Sequence, residues 1–187
     1  LHYPLRRQRQ MCIRDRFYID AVISVEDYRF ENHCGIDLIA IGRAMLTDIK
    51  KHSFIQGGST ITQQLAKNML FTQEKKLERK VAEVFAALEL ECNYSKEDIF
   101  ELYVNTSYFG NGYYGVREAA DGYFGKTFSE LSEYECAMLA GIPNAPSVYS
   151  PNAVNESTAR RVECVLESIV KNRIISQEQA YNIEMEQ

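Results

Sequence analysis

Several common signatures are missing from this 187-residue chain, and each absence closes a class. No CxxC pair occurs. The five cysteines (Cys12, Cys34, Cys92, Cys136 and Cys164) are scattered and odd in number, so neither a zinc site nor a disulfide framework is expected. Positive charge is not in excess. The formal net charge is −5, which argues against a nucleic-acid partner, because phosphates reward a basic surface. The GxxxxGK[ST] spacing of a Walker A loop is absent. There is no strand-like alternation, no low-complexity tract and no internal repeat. Residues 1–16, "LHYPLRRQRQMCIRDR", contain no apolar run near the length of a bilayer span or a signal-peptide core.

What is present is an ordinary globular balance, 45% hydrophobic and 25% charged, enough for a sizeable core in one domain. The charge is uneven. Residues 1–16 hold five arginines against one aspartate, and the remainder carries −9. Residues 1–16 are set aside as a basic tract, a non-native scar or the remnant of a juxtamembrane arm, and residues 17–187 are taken as the domain.

The pattern over the domain is helical. A first helix is expected over Phe17–Asn32. Asp37 reads as the N-cap of a second, with Leu38, Ile41, Met45 and Ile49 on one apolar face. Thr60-x-x-Gln63 resembles a capping box ahead of "ITQQLAKNML". In residues 77–91, Val81, Val84, Phe85 and Leu88 form a stripe at helical spacing. Ser95-x-x-Asp98, Ser132-x-x-Glu135 and Ser176-x-x-Gln179 open three more helices. Residues Glu156–Asn172 carry Val162, Val165, Leu166 and Ile169. Cys136 and Cys164 read as small buried hydrophobes. The expected fold class is all-α, with functional loops at 53–60, 105–115 and 141–153.

Three clusters could carry chemistry. Glu26 in "SVEDYRFENHCGID" is crowded by Val22, Ile23, Val25 and Phe30. It is either a solvated helix end or a carboxylate whose charged form is disfavoured, as a general acid or base near neutral pH requires. Glu83 lies opposite the stripe of its helix, beside Arg79, and either makes a surface pair with it or borders a cleft. "GGSTITQQLAKN" (57–68) joins two glycines to neutral donors at a helix N-terminus, with Lys67 one helical stretch further on, an arrangement suited to a phosphate or pyrophosphate. Lys75, Lys76, Arg79 and Lys80 add local positive charge that suits an anionic leaving group. Residues 100–128 hold nine aromatics, read mostly as core, with sugar stacking or a membrane interface as the other uses of those at loops.

"EDYRFENHCGID", "GGSTITQQLAKN", "RKVAE", "KEDIFELYVNTSYFGNGYYG" and "AMLAGIPNAPSVYSP" occur in that order. Together they resemble the five motifs of the peptidoglycan glycosyltransferases (glycosyltransferase family 51), which occur as monofunctional transglycosylases and as the first domain of class A penicillin-binding proteins. The resemblance covers about residues 17–172. It implies a lysozyme-like head lobe with a smaller membrane-facing jaw lobe. It also implies polymerisation of lipid II into glycan strands at the extracytoplasmic face of the cell membrane. Lipid II would be the acceptor, the lipid-linked glycan chain the donor and undecaprenyl pyrophosphate the leaving group, with inversion at the anomeric carbon. Other cell-wall synthesis proteins are implied as partners.

Carried over by position, Glu26 matches the general base and Asp27 the residue that helps to position it. Glu83 matches the second catalytic glutamate, which assists pyrophosphate departure or organises basic groups and a divalent cation, Mg²⁺. Lys67 matches the pyrophosphate-contacting lysine, and Arg79 and Lys80 the third motif. Ser59, Thr60, Gln63, Gln64 and Asn68 match the polar row that lines the substrate. Glu101 and Asn105 match the fourth motif. Lys75 stands where many members carry arginine, which keeps the charge but loses the bidentate fork. His33 reads as support for Glu26, and Arg29 and Glu31 as surface. Neither a membrane anchor nor a transpeptidase domain with its SxxK nucleophile is expected within these residues. The chief rival reading is a hydrolase or lytic transglycosylase with Glu26 as general acid. A third is an inactive scaffold that docks cell-wall proteins.

Overall fold

Phe17, Tyr18, Ala21 and Val22 repeat at helical spacing and are buried, which sets one face of a first helix toward the protein interior. In the computed structural model, which describes residues 13–51, 58–70, 77–151 and 156–186, that helix is α1 (Ile13–Glu26). It packs against α7 (Glu133–Gly141) and α9 (Glu156–Lys171), which also pack on each other. The buried stripe of α9 is the expected one: Val162, Val165, Leu166 and Ile169. α7 is buried along nearly its whole length. α10 (Gln177–Glu184) closes the outer side of α9 with Ala180 and Ile183.

A second group is built around α3 (Ile61–Leu70), which packs on α4 (Leu77–Asn93) and α5 (Lys96–Thr106). α6 (Val116–Phe124) joins α5 to α7. One hydrophobic core runs through both groups, from Phe17 and Val165 to Ile61, Leu65 and Tyr103. α2 (Leu38–Lys51) and the single-turn α8 (Pro146–Tyr149) complete the set. Among the described residues every regular element is helical, and the one ladder contact is an isolated bridge between Tyr108 and Tyr114. The all-α expectation holds.

The capping signals were accurate. Ser95–Asp98, Ser132–Glu135 and Ser176–Gln179 form reciprocal boxes at the starts of α5, α7 and α10. Asp37 caps α2 by accepting from the amides of Ile39 and Ala40, both at 2.9 Å. Other expectations need correcting. The first helix ends at Glu26, and a turn and a short 3₁₀ helix (Phe30–Asn32) follow, because Asp27 turns its carboxylate to another segment. Arg29 is not free surface: its Nε lies 3.1 Å from Asp37 Oδ2. Leu38, placed on the apolar face of α2, is 76% exposed. The 141–153 loop contains a 3₁₀ turn and α8. Cys136 is buried as expected, whereas Cys164 is exposed. Ser168–Lys171 has the SxxK spacing, but it is a stretch of α9 in which Ser168 Oγ donates to the Cys164 carbonyl at 2.8 Å.

On α4 the glutamate face, not the apolar stripe, is the inner one. Its apolar stripe is turned outward: Val81 is 52% exposed, Phe85 68% and Leu88 37%. Its inward face is made by Ala87 and Glu83, which is 1% exposed. Residues 1–12, the 53–57 part of the first loop, Lys75, Lys76 and Cys12 lie outside the described residues. α1 starts at Ile13, inside the tract set apart at the N-terminus. No helix among the described residues is long and apolar enough to cross a membrane.

Candidate active site

The last turn of α1 presents Glu26 with a side chain only 7% exposed. Its Oε1 lies 2.9 Å from the guanidinium of Arg161, and its Oε2 accepts from Gln64 Nε2 at 3.1 Å. Burial pushes the Glu26 carboxyl above its ordinary range. The Arg161 charge and the hydrogen bonds from Gln64 and Arg161 pull the other way, and the neighbouring Asp27 charge adds to the rise. A carboxylate at the carbonyl end of a helix also meets the negative end of the helix dipole. The outcome is a proton acceptor with a strength closer to neutral pH than a free glutamate has.

Asp27 is buried and fully used. Both its oxygens accept from His33 Nε2, at 2.9 and 3.0 Å, and Oδ2 also accepts from the Ile61 amide at 2.9 Å. That last bond fixes the start of α3 against the end of α1. The chain between them is held closely: the Gly35 carbonyl accepts from Thr60 Oγ1 at 2.6 Å. Gly35 sits at φ +83°, and a Cβ there would stand 3.0 Å from the Ala87 carbonyl oxygen, so this position demands glycine. Lys96 secures the same segment. Its Nζ donates to the His33 carbonyl at 2.6 Å and to Glu91 at 2.8 Å, and Glu91 accepts from Thr62 at 2.6 Å. Lys96 opens the fourth quoted motif with no role assigned to it, and Glu91 carried no signal in the sequence, since their partners lie in other segments.

α3 begins with the expected Thr60–Gln63 box, each residue's side chain accepting from the other's amide at 3.1 Å. Thr60, Gln63, Gln64 and Lys67 are spaced i, i+3, i+4, i+7, and all four line one cavity. Gln64 is more than lining. Tyr103 donates to its Oε1 at 3.2 Å, which turns its NH₂ toward Glu26. Burial, and next the Glu26 charge, hold the Tyr103 hydroxyl well above the usual tyrosine range, so it remains a donor. Asn68 is exposed on α3 and is not among the residues that line the cavity.

On α4, Glu83 Oε1 lies 3.4 Å from Arg79 and Oε2 3.1 Å from Lys80. The Arg79–Glu83 pair weighed as a surface contact is therefore present, with a buried carboxylate. Lys80 also donates to Ser59 Oγ at 2.7 Å, which links α4 to the loop before α3. Glu101 and Asn105 lie exposed on α5.

Glu26, Asp27, Ser59, Thr60, Gln63, Gln64, Lys67, Lys80 and Glu83 line a single cavity of about 700 Å³, a size typical of a small-molecule or substrate site. Arg161, Tyr149 and Arg43 line it too. Arg161 was missed by sequence reasoning because it lies 135 residues from Glu26, in a segment read only for its apolar stripe. The resemblance gives the divalent cation to Glu83, and the described residues form no all-protein cage around that carboxylate. No three ligating side chains come together among the described residues, and Glu83 is already countered by two cations.

The family model for transglycosylases matches residues 9–170, and the chain belongs to that family. The chain is 43% identical over 177 residues to penicillin-binding protein 1A of Aquifex aeolicus, covering 89% of this chain and 24% of that one. It is 44% identical over 161 residues to penicillin-binding protein 1F of Bacillus subtilis, covering 86% and 22%. Among solved structures, penicillin-binding protein 1A from Haemophilus influenzae aligns over 68% of this chain and 16% of its own, at 26% identity and a TM-score of 0.45. The chain spans less than a quarter of the length of these curated relatives.

Proposed function

We propose that this domain polymerises lipid II into peptidoglycan glycan strands by inverting glycosyl transfer, with undecaprenyl pyrophosphate as the leaving group. The observation that carries the reading is one cavity that holds a nearly buried carboxylate, Glu26, together with the cations Lys67 and Lys80. Glycosyl transfer onto a hydroxyl needs a base at the acceptor oxygen and charge neutralisation at the departing group. In this scheme Glu26 takes the proton of the acceptor's sugar 4-hydroxyl. That oxygen bonds to the anomeric carbon as the bond from that carbon to the pyrophosphate oxygen breaks. Lys67 and Lys80 receive the developing negative charge, with Arg79 adding to the field, and the resemblance gives Lys75 the same task. Asp27 holds the geometry through the Ile61 amide, and Glu83 keeps Arg79 and Lys80 in place. Ser59, Thr60, Gln63 and Gln64 supply neutral donors along the wall, and Asn68 extends the polar row beyond it. No step is routed through a metal.

The outward stripe of α4 supports a membrane-surface position for that helix, with the cavity reaching its lipid-linked substrate from the extracytoplasmic face. Partnership with other cell-wall proteins follows from the same reading. Purified protein given labelled lipid II should form glycan polymer, and Glu26→Gln should abolish it while leaving the circular dichroism spectrum unchanged. Polymer at the wild-type rate from Glu26→Gln would remove the base assignment. Release of soluble fragments from finished sacculi, without polymer, would replace the synthase with the lytic reading.

A further inference from the structure

The Arg161 side chain is fixed along its length. Its stem lies over Gly141, where a Cβ would meet the Arg161 Cγ at 2.8 Å. Its Nε donates to the Gly141 carbonyl at 3.1 Å, and its guanidinium carbon sits 5.5 Å from the Tyr149 ring centroid. From that position it donates to Glu26 Oε1 at 2.9 Å, with only 16% of the side chain exposed. The other groups coupled to Glu26 come from several elements. Tyr18 lies on α1 beside Cys136 of α7, Tyr103 is on α5, and Asp27 follows Glu26 directly. Gln64 of α3 contributes a neutral amide. Burial keeps both tyrosines protonated, and Asp27 is a like charge. Among these groups Arg161 is the one cation.

We infer that Arg161 is the positioning residue for the base: it keeps the nearly buried Glu26 ionised and occupies Oε1. That leaves Oε2, bound by the neutral Gln64 amide, as the oxygen that receives the acceptor's proton. The inference rests on the reading of Glu26 as general base. Without a neighbouring cation a buried carboxyl takes up a proton near neutral pH and is lost as a base. Arginine suits the task because it does not deprotonate and its planar fork can hold Gly141 and Glu26 together. Gly141 suits it because any side chain there would displace the arginine stem.

Two readouts test this: the titration of ¹³C-labelled Glu26 followed by NMR, and the pH dependence of kcat/KM for lipid II polymerisation. In Arg161→Met both the Glu26 titration and the acidic limb of the rate should move to higher pH. Below the wild-type midpoint the variant should lose about tenfold or more in rate relative to its own alkaline plateau, the equivalent of one pKa unit. Arg161→Lys should move both by less. Gly141→Ala, which leaves every charge in place, should move both in the same direction. Coincident titrations and limbs for wild type and Arg161→Met, with a uniform fall in rate, would overturn the inference and leave a structural role. If Arg161→Met fails to fold, the same shifts in Arg161→Lys and Gly141→Ala decide it. If Glu26→Gln keeps full activity the base reading fails, whereas the NMR titration still decides whether Arg161 holds the Glu26 charge.

Discussion

The Asp27 carboxylate and the Ile61 amide meet at 2.9 Å across 34 residues of sequence, joining the end of α1 to the start of α3. One helix brings the candidate base and the other brings Gln64 and Lys67, so this single charge-assisted bond sets the register of the site. Asp27→Ala leaves the buried His33 ring and the Ile61 N–H without their acceptor. The expected loss of stability is about 3 kcal/mol, or roughly 6–12 °C in Tm for a domain of this size. Urea denaturation measures the first, and faster hydrogen exchange at Ile61 locates it. Unchanged exchange there would show that α3 is docked by other contacts.

Tyr103→Phe removes the hydroxyl that sets the orientation of the Gln64 amide. The fold should lose no more than about 1 kcal/mol, the typical worth of one neutral hydrogen bond. Polymerisation should fall about fivefold, because the amide can then present its oxygen to Glu26. Steady-state kinetics with lipid II checks this. A rate equal to wild type would show that Gln64 holds its orientation unaided.

Burial also gives Glu26 a signature in the stability curve. Its carboxyl titrates above its ordinary value of 4.5 in the folded protein. The folded state therefore binds this proton to higher pH than the unfolded chain. Between 4.5 and the raised folded value, rising pH removes stability, and above that value the effect is constant. Glu26→Gln lacks this slope. Its stability relative to wild type should climb across the window, whatever constant offset the orphaned Arg161 imposes, by about 1.4 kcal/mol for each tenfold difference in proton affinity. Urea titrations of both proteins from pH 4 to 8 test it, and parallel curves would contradict the burial of the charge.

Phe85 is 68% exposed on the outward stripe of α4. Phe85→Ser should change folding stability by less than about 0.5 kcal/mol, as for surface positions in general. It should weaken binding to lipid vesicles about tenfold or more, since a large apolar side chain contributes about 1.5–3 kcal/mol when it leaves water. Vesicle co-sedimentation at fixed lipid composition measures this. Equal binding by variant and wild type would assign the stripe to some other contact.

What the sequence disclosed was mostly local. The boxes at Thr60, Ser95, Ser132 and Ser176 were legible because each is closed within four residues. The buried stripe of α9 was legible because one periodic face dominates that helix. Periodicity says which residues share a face and not which face is inside, and on α4 only the structure decides it. Val81 and Phe85 point out, and the glutamate opposite them is the buried group. Asp27 ends α1 early for a reason that lies 34 residues away, and the cation on Glu26 lies 135 away. No window along the chain contains either partner. The five-motif resemblance brought Glu26 and Glu83 to attention, but the geometry added Arg161, Lys96 and Glu91.

The span between Glu26 and Arg161 also has a consequence for timing. A chain made from its N-terminus produces α1 first, yet α1 packs on α7 and α9, and its glutamate is held by a residue of α9. While translation has reached only α6, the first helix has neither of those packing partners and Glu26 has no counter-charge. The early helices can settle among themselves, because α3, α4 and α5 contact one another over short separations. The proton-accepting end of the site is completed only after α9 emerges, so a nascent chain halted before that point carries the whole first motif and still has no assembled base.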